Sequence, residues 1–80
     1  PAAYGGTGKT ADWKMIGAFV AEHPEHRFVL AGGLNPSNVA EAIRVVRPAA
    51  VDVAGGVEES PGKKDPAKVR AFLQAVRAAI

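Results

Sequence analysis

Eighty residues, 48% of them apolar and 22% charged, with a formal net charge of +2, describe one small globular domain and exclude a disordered tail or a chain that wraps nucleic acid. The absence of cysteine removes any disulfide framework, thiolate metal site or cysteine nucleophile, and it points to an intracellular chain. Lys63-Lys64 is the longest basic run, no aromatic residues interleave with it, no apolar run approaches a membrane span and no signal peptide is visible, so neither nucleic acid nor a membrane is an expected partner.

In chain order, residues 1–12 carry Gly5, Gly6 and Gly8 without periodicity and are expected to form a loop. Ala3 to Thr10 also fits a relaxed phosphate-loop pattern, with Gly8, Lys9 and Thr10 in the required places. That motif needs a strand immediately upstream, and only Pro and Ala stand there. From Thr10 or Asp12 as a cap, Trp13, Ile16, Phe19 and Val20 recur at helical spacing, with Met15 and Ala18 widening the stripe, and predict a helix over 13–23. Pro24 stops it. His23 and His26 read as solvated, with no carboxylate or cysteine at ligand spacing.

A strand is predicted over 28–32, ending in Gly32-Gly33, and a helix over 36–47, with Asn35 as its cap and Pro36 in its first position, where a missing N–H costs nothing. Val39, Ala42, Ile43 and Val46 form its apolar face; Glu41, Arg44 and Arg47 point outward, and Pro48 ends it. Glycines have no Cβ to shield their N–H groups, and the start of the next helix adds unpaired donors and a positive dipole end, so this corner suits an anion, phosphate above all.

The pattern then repeats. A strand over 50–54 ends in Gly55-Gly56, with Val51 and Val53 on one side and Asp52 on the other. A carboxylate inside so apolar a run must be paired or wet. It is either satisfied by a lysine or a turn amide, or it serves a ligand beyond the strand ends, where parallel sheets place them. Residues Val57 to Lys64 read as a long polar loop, and Asp65 caps a final helix over 66–79, with Pro66 in its first position and Val69, Phe72, Leu73, Val76 and Ile80 as its stripe.

The order loop, helix, strand, helix, strand, helix is a run of βα units with one strand wanting at the front. If its two strands are parallel neighbours, the two glycine corners lie side by side and one phosphate fits between them. Two strands and three helices leave sheet edges and apolar surface uncovered, so the chain reads either as part of a larger fold or as a self-associating module.

Three ordered motifs resemble the C-terminal part of the phosphoribosylanthranilate isomerase family: Tyr4-Gly5-Gly6-Thr7-Gly8-Lys9-Thr10 with Asp12-Trp13; Leu30-Ala31-Gly32-Gly33-Leu34-Asn35-Pro36 with Asn38-Val39; and Val51-Asp52-Val53 through Gly56-Val57-Glu58 to Pro61-Gly62-Lys63-Lys64-Asp65. The resemblance implies an α/β fold, the end of a (βα)8 TIM barrel from helix six to helix eight. It implies that Gly32, Gly33, Gly55 and Gly56 hold the substrate's ribose phosphate and that Asp52 lies near the substrate's ring and sugar; Ala54 stands where the family often has Ser. The family reaction, an Amadori rearrangement of a phosphorylated sugar–anthranilate conjugate in tryptophan biosynthesis, needs a base and an acid. The family's base is a cysteine, absent here, and its acid an aspartate that would fall just before Pro1, so these 80 residues carry no catalytic residue and are expected to be inactive alone. The implied partners are the missing N-terminal barrel portion or a second copy, with no cofactor, no metal and a cytoplasmic location.

Overall fold

The computed structural model describes residues 12–80. The loop expected at the start, the phosphate-loop pattern of Ala3 to Thr10 and the first of the three motifs, apart from its Asp12-Trp13, lie outside the described residues.

Helix α1 is Trp13–Glu22, and Asp12 caps it by accepting the Met15 N–H at 3.2 Å. It ends one residue short of the expected 23, because Pro24 biases His23 away from helical geometry (φ −128°, ψ 60°). Trp13, Ile16 and Val20 pack on the core, whereas Met15 and Phe19 are 66% and 53% exposed and do not belong to the inward stripe. At its midpoint α1 approaches the second helix closely: a Cβ on Gly17 would stand 2.5 Å from the Val45 carbonyl oxygen. In the turn that follows, the Glu25 carboxylate stands 3.5 Å from both His23 Nδ1 and His26 Nε2, so an acid does lie between the two histidines. No cluster of three His, Cys, Asp or Glu side chains suited to a metal occurs among the described residues.

Strand β1 is Val29–Leu30 and strand β2 is Ala50–Val51, paired in parallel with Val29 opposite Ala50 and Leu30 opposite Val51. Both are shorter than the five residues expected. The ladder closes with the Asp52 N–H on the Leu30 carbonyl at 2.9 Å, and Gly32 (φ 98°) and Gly33 (φ 72°) then swing the first chain out of extended geometry. Leu30 is buried and Val51 half-buried toward the helices, while Val29 and Ala50 face outward and are exposed.

Helix α2 is Val39–Val46, three residues later than expected. The Asn35 side chain takes the N–H groups of Ser37 and Asn38 at 2.8 and 3.0 Å and its carbonyl that of Val39 at 3.1 Å, so Asn35 caps as expected, but Pro36 to Asn38 form a turn leading into the helix rather than its first turn. At the other end Arg47 takes the left-handed conformation (φ 54°, ψ 54°), with its N–H on the Ile43 carbonyl, and Pro48 prevents continuation.

The segment after Val57 is a correction to the sequence reading. In place of a loop it forms an antiparallel hairpin, β3 (Glu58–Ser60) and β4 (Lys63–Lys64), turned at Pro61-Gly62 with Gly62 at φ 81°. Helix α3, Pro66–Ala79, follows, its Asp65 cap accepting the Ala67 and Lys68 N–H groups. Phe72 is buried and Val69 and Val76 pack beside it, but Leu73 and Ile80 are 50% and 92% exposed. Helix α2 lies between α1 and α3, and Leu30, Leu34, Val39, Ala42, Val46, Val57 and Phe72 form the buried core of the described residues.

Candidate functional site

The parallel pairing of β1 and β2 brings the two glycine corners to the same end of the sheet, and the backbone then locks them together. After Ala54 the chain makes one 3-10 turn, Gly55–Val57. A Cβ on Gly56 would stand 1.8 Å from the Leu34 carbonyl oxygen and 3.0 Å from the Asn35 Cα, so the second corner is seated on the first with no room for a side chain. Gly55, by contrast, has open space, its nearest prospective neighbour being Glu58 Oε1 at 4.0 Å. The four glycines therefore do different work. Gly32 and Gly33 supply left-handed backbone, Gly56 permits contact between the corners, and Gly55 leaves its surroundings open.

Among the described residues, the N–H groups of Gly32, Gly33, Leu34, Gly55 and Gly56 have no protein acceptor. The helix-start donors expected beside them are taken. The Asn35 N–H donates to Asn38 Oδ1 at 2.8 Å, and those of Ser37 and Asn38 go to Asn35 Oδ1. Asn38 also donates from Nδ2 to the Gly33 carbonyl at 2.9 Å, tying the turn back to the corner. Beside the joint runs an open groove of about 560 Å³ between Asn35–Ser37, Gly55-Gly56 and the first turns of α3. Lys68 lines it, its ammonium donating to the Glu58 main-chain carbonyl at 3.0 Å. Lys68 is exposed and was not among the predicted site residues. Its position three residues beyond the Asp65 cap was the available signal, since the first turn of α3 faces the preceding corner.

Asp52 is exposed, on the sheet face opposite Val51 and Val53, and among the described residues its carboxylate has no hydrogen-bond or ion-pair partner. It does not line the groove. Lys64 does not satisfy it; that ammonium donates to the Ala54 carbonyl at 3.2 Å and to Glu58 Oε2 at 3.1 Å.

Parallel strands joined through a helix, with the described helices on one face and both strands ending in glycine corners at one end, form the repeating unit of the α/β class, and the solved structures that the chain matches make it a section of a (βα)8 barrel. The chain belongs to the family described as PRAI, N-(5'phosphoribosyl)anthranilate (PRA) isomerase, whose match spans residues 2–75. It is 56% identical over all 80 residues to the N-(5'-phosphoribosyl)anthranilate isomerase of Trichlorobacter lovleyi, and 56% identical over 73 residues, 91% of the chain, to that of Neisseria meningitidis. These alignments span 38% and 33% of the two relatives, so the chain covers about a third of their length. Among solved structures it matches the phosphoribosylanthranilate isomerase of Thermotoga maritima, crystallised as monomers generated from a dimer, with a TM-score of 0.77 and 48% identity over 88% of this chain and 35% of that one. A phosphoribosyl anthranilate isomerase in complex with reduced 1-(o-carboxyphenylamino)-1-deoxyribulose 5-phosphate matches with a TM-score of 0.74 and 46% identity, over 88% of this chain and 35% of that one.

Proposed function

We propose that these 80 residues form the phosphate-holding section of a PRA isomerase barrel, with the N–H groups of Gly32-Gly33 and Gly55-Gly56 converging on the phosphate of a phosphoribosyl-anthranilate substrate. The observation that carries this reading is the seat of Gly56 on the Leu34 carbonyl, which joins two corners whose N–H donors are unclaimed among the described residues. Amide donors left without a protein acceptor at the strand ends are suited to an anion, which several of them can share. The solved relative that holds a 5-phosphate product analogue supports the choice of ligand. Asp52, exposed on the outward sheet face, is assigned to the substrate's sugar and ring rather than to the phosphate.

The family's isomerisation needs proton transfers at two positions. The chain holds no cysteine to act as the base, so activity calls for groups from barrel elements these residues do not span. The purified chain is expected to bind phosphate and to show no isomerase turnover, with its place of action in the cytoplasm. Inorganic phosphate titrated into ¹⁵N-labelled chain should shift the amides of residues 32–34 and 55–56, leaving the internally bonded Asn35, Ser37 and Asn38 amides less affected. Shifts gathered at residues 5–10 would instead favour the phosphate-loop pattern, and measurable turnover by the chain alone would overturn the assignment of roles.

A further inference from the structure

The two corners share a device that the glycines do not explain. A trans peptide unit is planar, with its C=O and N–H pointing in opposite directions, so whatever grips the carbonyl oxygen also aims the N–H. At the second corner the Lys64 ammonium donates to the Ala54 carbonyl at 3.2 Å, with the Val57 N–H on the same oxygen at 3.3 Å, and the other end of that peptide unit is the Gly55 N–H. At the first corner Asn38 Nδ2 holds the Gly33 carbonyl at 2.9 Å, and the other end of that unit is the Leu34 N–H. In each case the gripping residue comes from the element after the corner, β4 or the turn leading into α2.

We infer that Lys64 is a positioning residue: by holding the Ala54 carbonyl it directs the Gly55 N–H away from the hairpin and toward the bound anion, as Asn38 does for the Leu34 N–H. Two further contacts fix the ammonium. Its second hydrogen bond goes to the Glu58 carboxylate at 3.1 Å, and β4 is anchored where the Asp65 N–H meets the Val57 carbonyl at 2.8 Å. A cation on a carbonyl also polarises the peptide, making the N–H at its far end a stronger donor. This inference rests on the phosphate reading above for its ligand but not for its geometry. Lys63 provides the control, since it carries the same charge on the same strand yet pairs with Glu59 at 3.1 Å and does not touch the corner.

The test compares Lys64→Met, Lys64→Arg and Lys63→Met in ¹⁵N-labelled chain, without ligand and through a titration with inorganic phosphate. Without ligand, Lys64→Met should displace the Gly55 amide resonance and change its solvent exchange, while Lys63→Met leaves both in place. With phosphate, Lys64→Met should weaken binding on the order of tenfold, as expected for losing a charge-assisted hydrogen bond, with Lys64→Arg restoring most of it. If Lys64→Met loses a folded spectrum, Lys64→Thr replaces it, because a β-branched residue suits the strand while its short hydroxyl cannot take the ammonium's place on the Ala54 carbonyl, and the same displacement of the Gly55 amide is expected. A Gly55 amide indifferent to Lys64, or equal losses of affinity in Lys63→Met and Lys64→Met, would overturn the inference. Failure of the unmodified chain to bind phosphate at either corner would instead defeat the proposed function, and the ligand-free comparison would still decide the role of Lys64.

Discussion

Gly55 and Gly56 are adjacent and chemically identical, yet their surroundings predict opposite responses to one added methyl group. At Gly56 the new Cβ would overlap the Leu34 carbonyl at 1.8 Å, and neither backbone can yield without separating the corners. Gly56→Ala should therefore destabilise by at least about 2 kcal/mol, whereas Gly55→Ala, facing open space, should stay within about 0.5 kcal/mol. Urea unfolding of the two variants checks this, and equal effects would contradict the seat of one corner on the other. The sequence made both glycine pairs legible as corners, because an apolar run that breaks at Gly-Gly has few other readings. It could not divide the labour among them: a positive φ, a steric contact and an open approach all appear in a sequence as the same letter. Asp52 was half legible in the same sense. Alternation placed it opposite Val51 and Val53, but its lack of a partner among the described residues is a fact of three dimensions.

Among the elements, the three helices and the parallel pair β1–β2 were legible, and the β3–β4 hairpin was not. Asp12 and Asp65 announce their helices by accepting N–H groups, a local interaction that sequence alone specifies. Asn35 caps as expected, through the Ser37 and Asn38 N–H groups, but regular helix begins only at Val39, because Asn38 returns its side chain to the Asn35 N–H and closes 35–38 as a turn of its own. The β3–β4 hairpin was hidden by its composition. Glu58, Glu59, Lys63 and Lys64 have low strand propensity, but the cross-strand pairing of Glu58 with Lys64 and the Pro61-Gly62 turn between them compensate. The crossing of α1 and α2 yields a prediction of sign. In an exposed helix Gly→Ala gains about 1 kcal/mol of propensity. At Gly17 the added Cβ would stand 2.5 Å from the Val45 carbonyl oxygen, and displacing a packed helix typically costs about 1–3 kcal/mol. Gly17→Ala should therefore lower the unfolding midpoint despite its better propensity, as thermal denaturation followed by circular dichroism would show.

At the scale of the whole molecule, the described residues make a slab 37 × 28 × 17 Å, thick enough for one layer of helices on one thin sheet. Parallel sheets are ordinarily covered on both faces, yet here Val29 is 65% exposed on the face away from the helices, and both outer strand edges lack neighbours among the described residues. Leu73 on α3, Ile80 just past its end and Phe19 on α1 add exposed apolar surface around the same layer. Since the chain spans 38% of the Trichlorobacter lovleyi relative, we propose that the rest of such a barrel covers this surface, or a second copy where that is absent. We therefore expect the isolated chain to associate in a concentration-dependent way, and to become monodisperse and better ordered when mixed with a polypeptide carrying the portion of a PRA isomerase that it does not span. Isomerase activity should appear only in that mixture. Val29→Thr keeps the β-branched shape while adding a hydroxyl to the uncovered face, so it should weaken self-association and leave the helical content unchanged. Sedimentation velocity across a range of concentrations decides the matter: a monomer at every concentration, with a sharp thermal transition, would show that the slab closes its own surface and needs no partner.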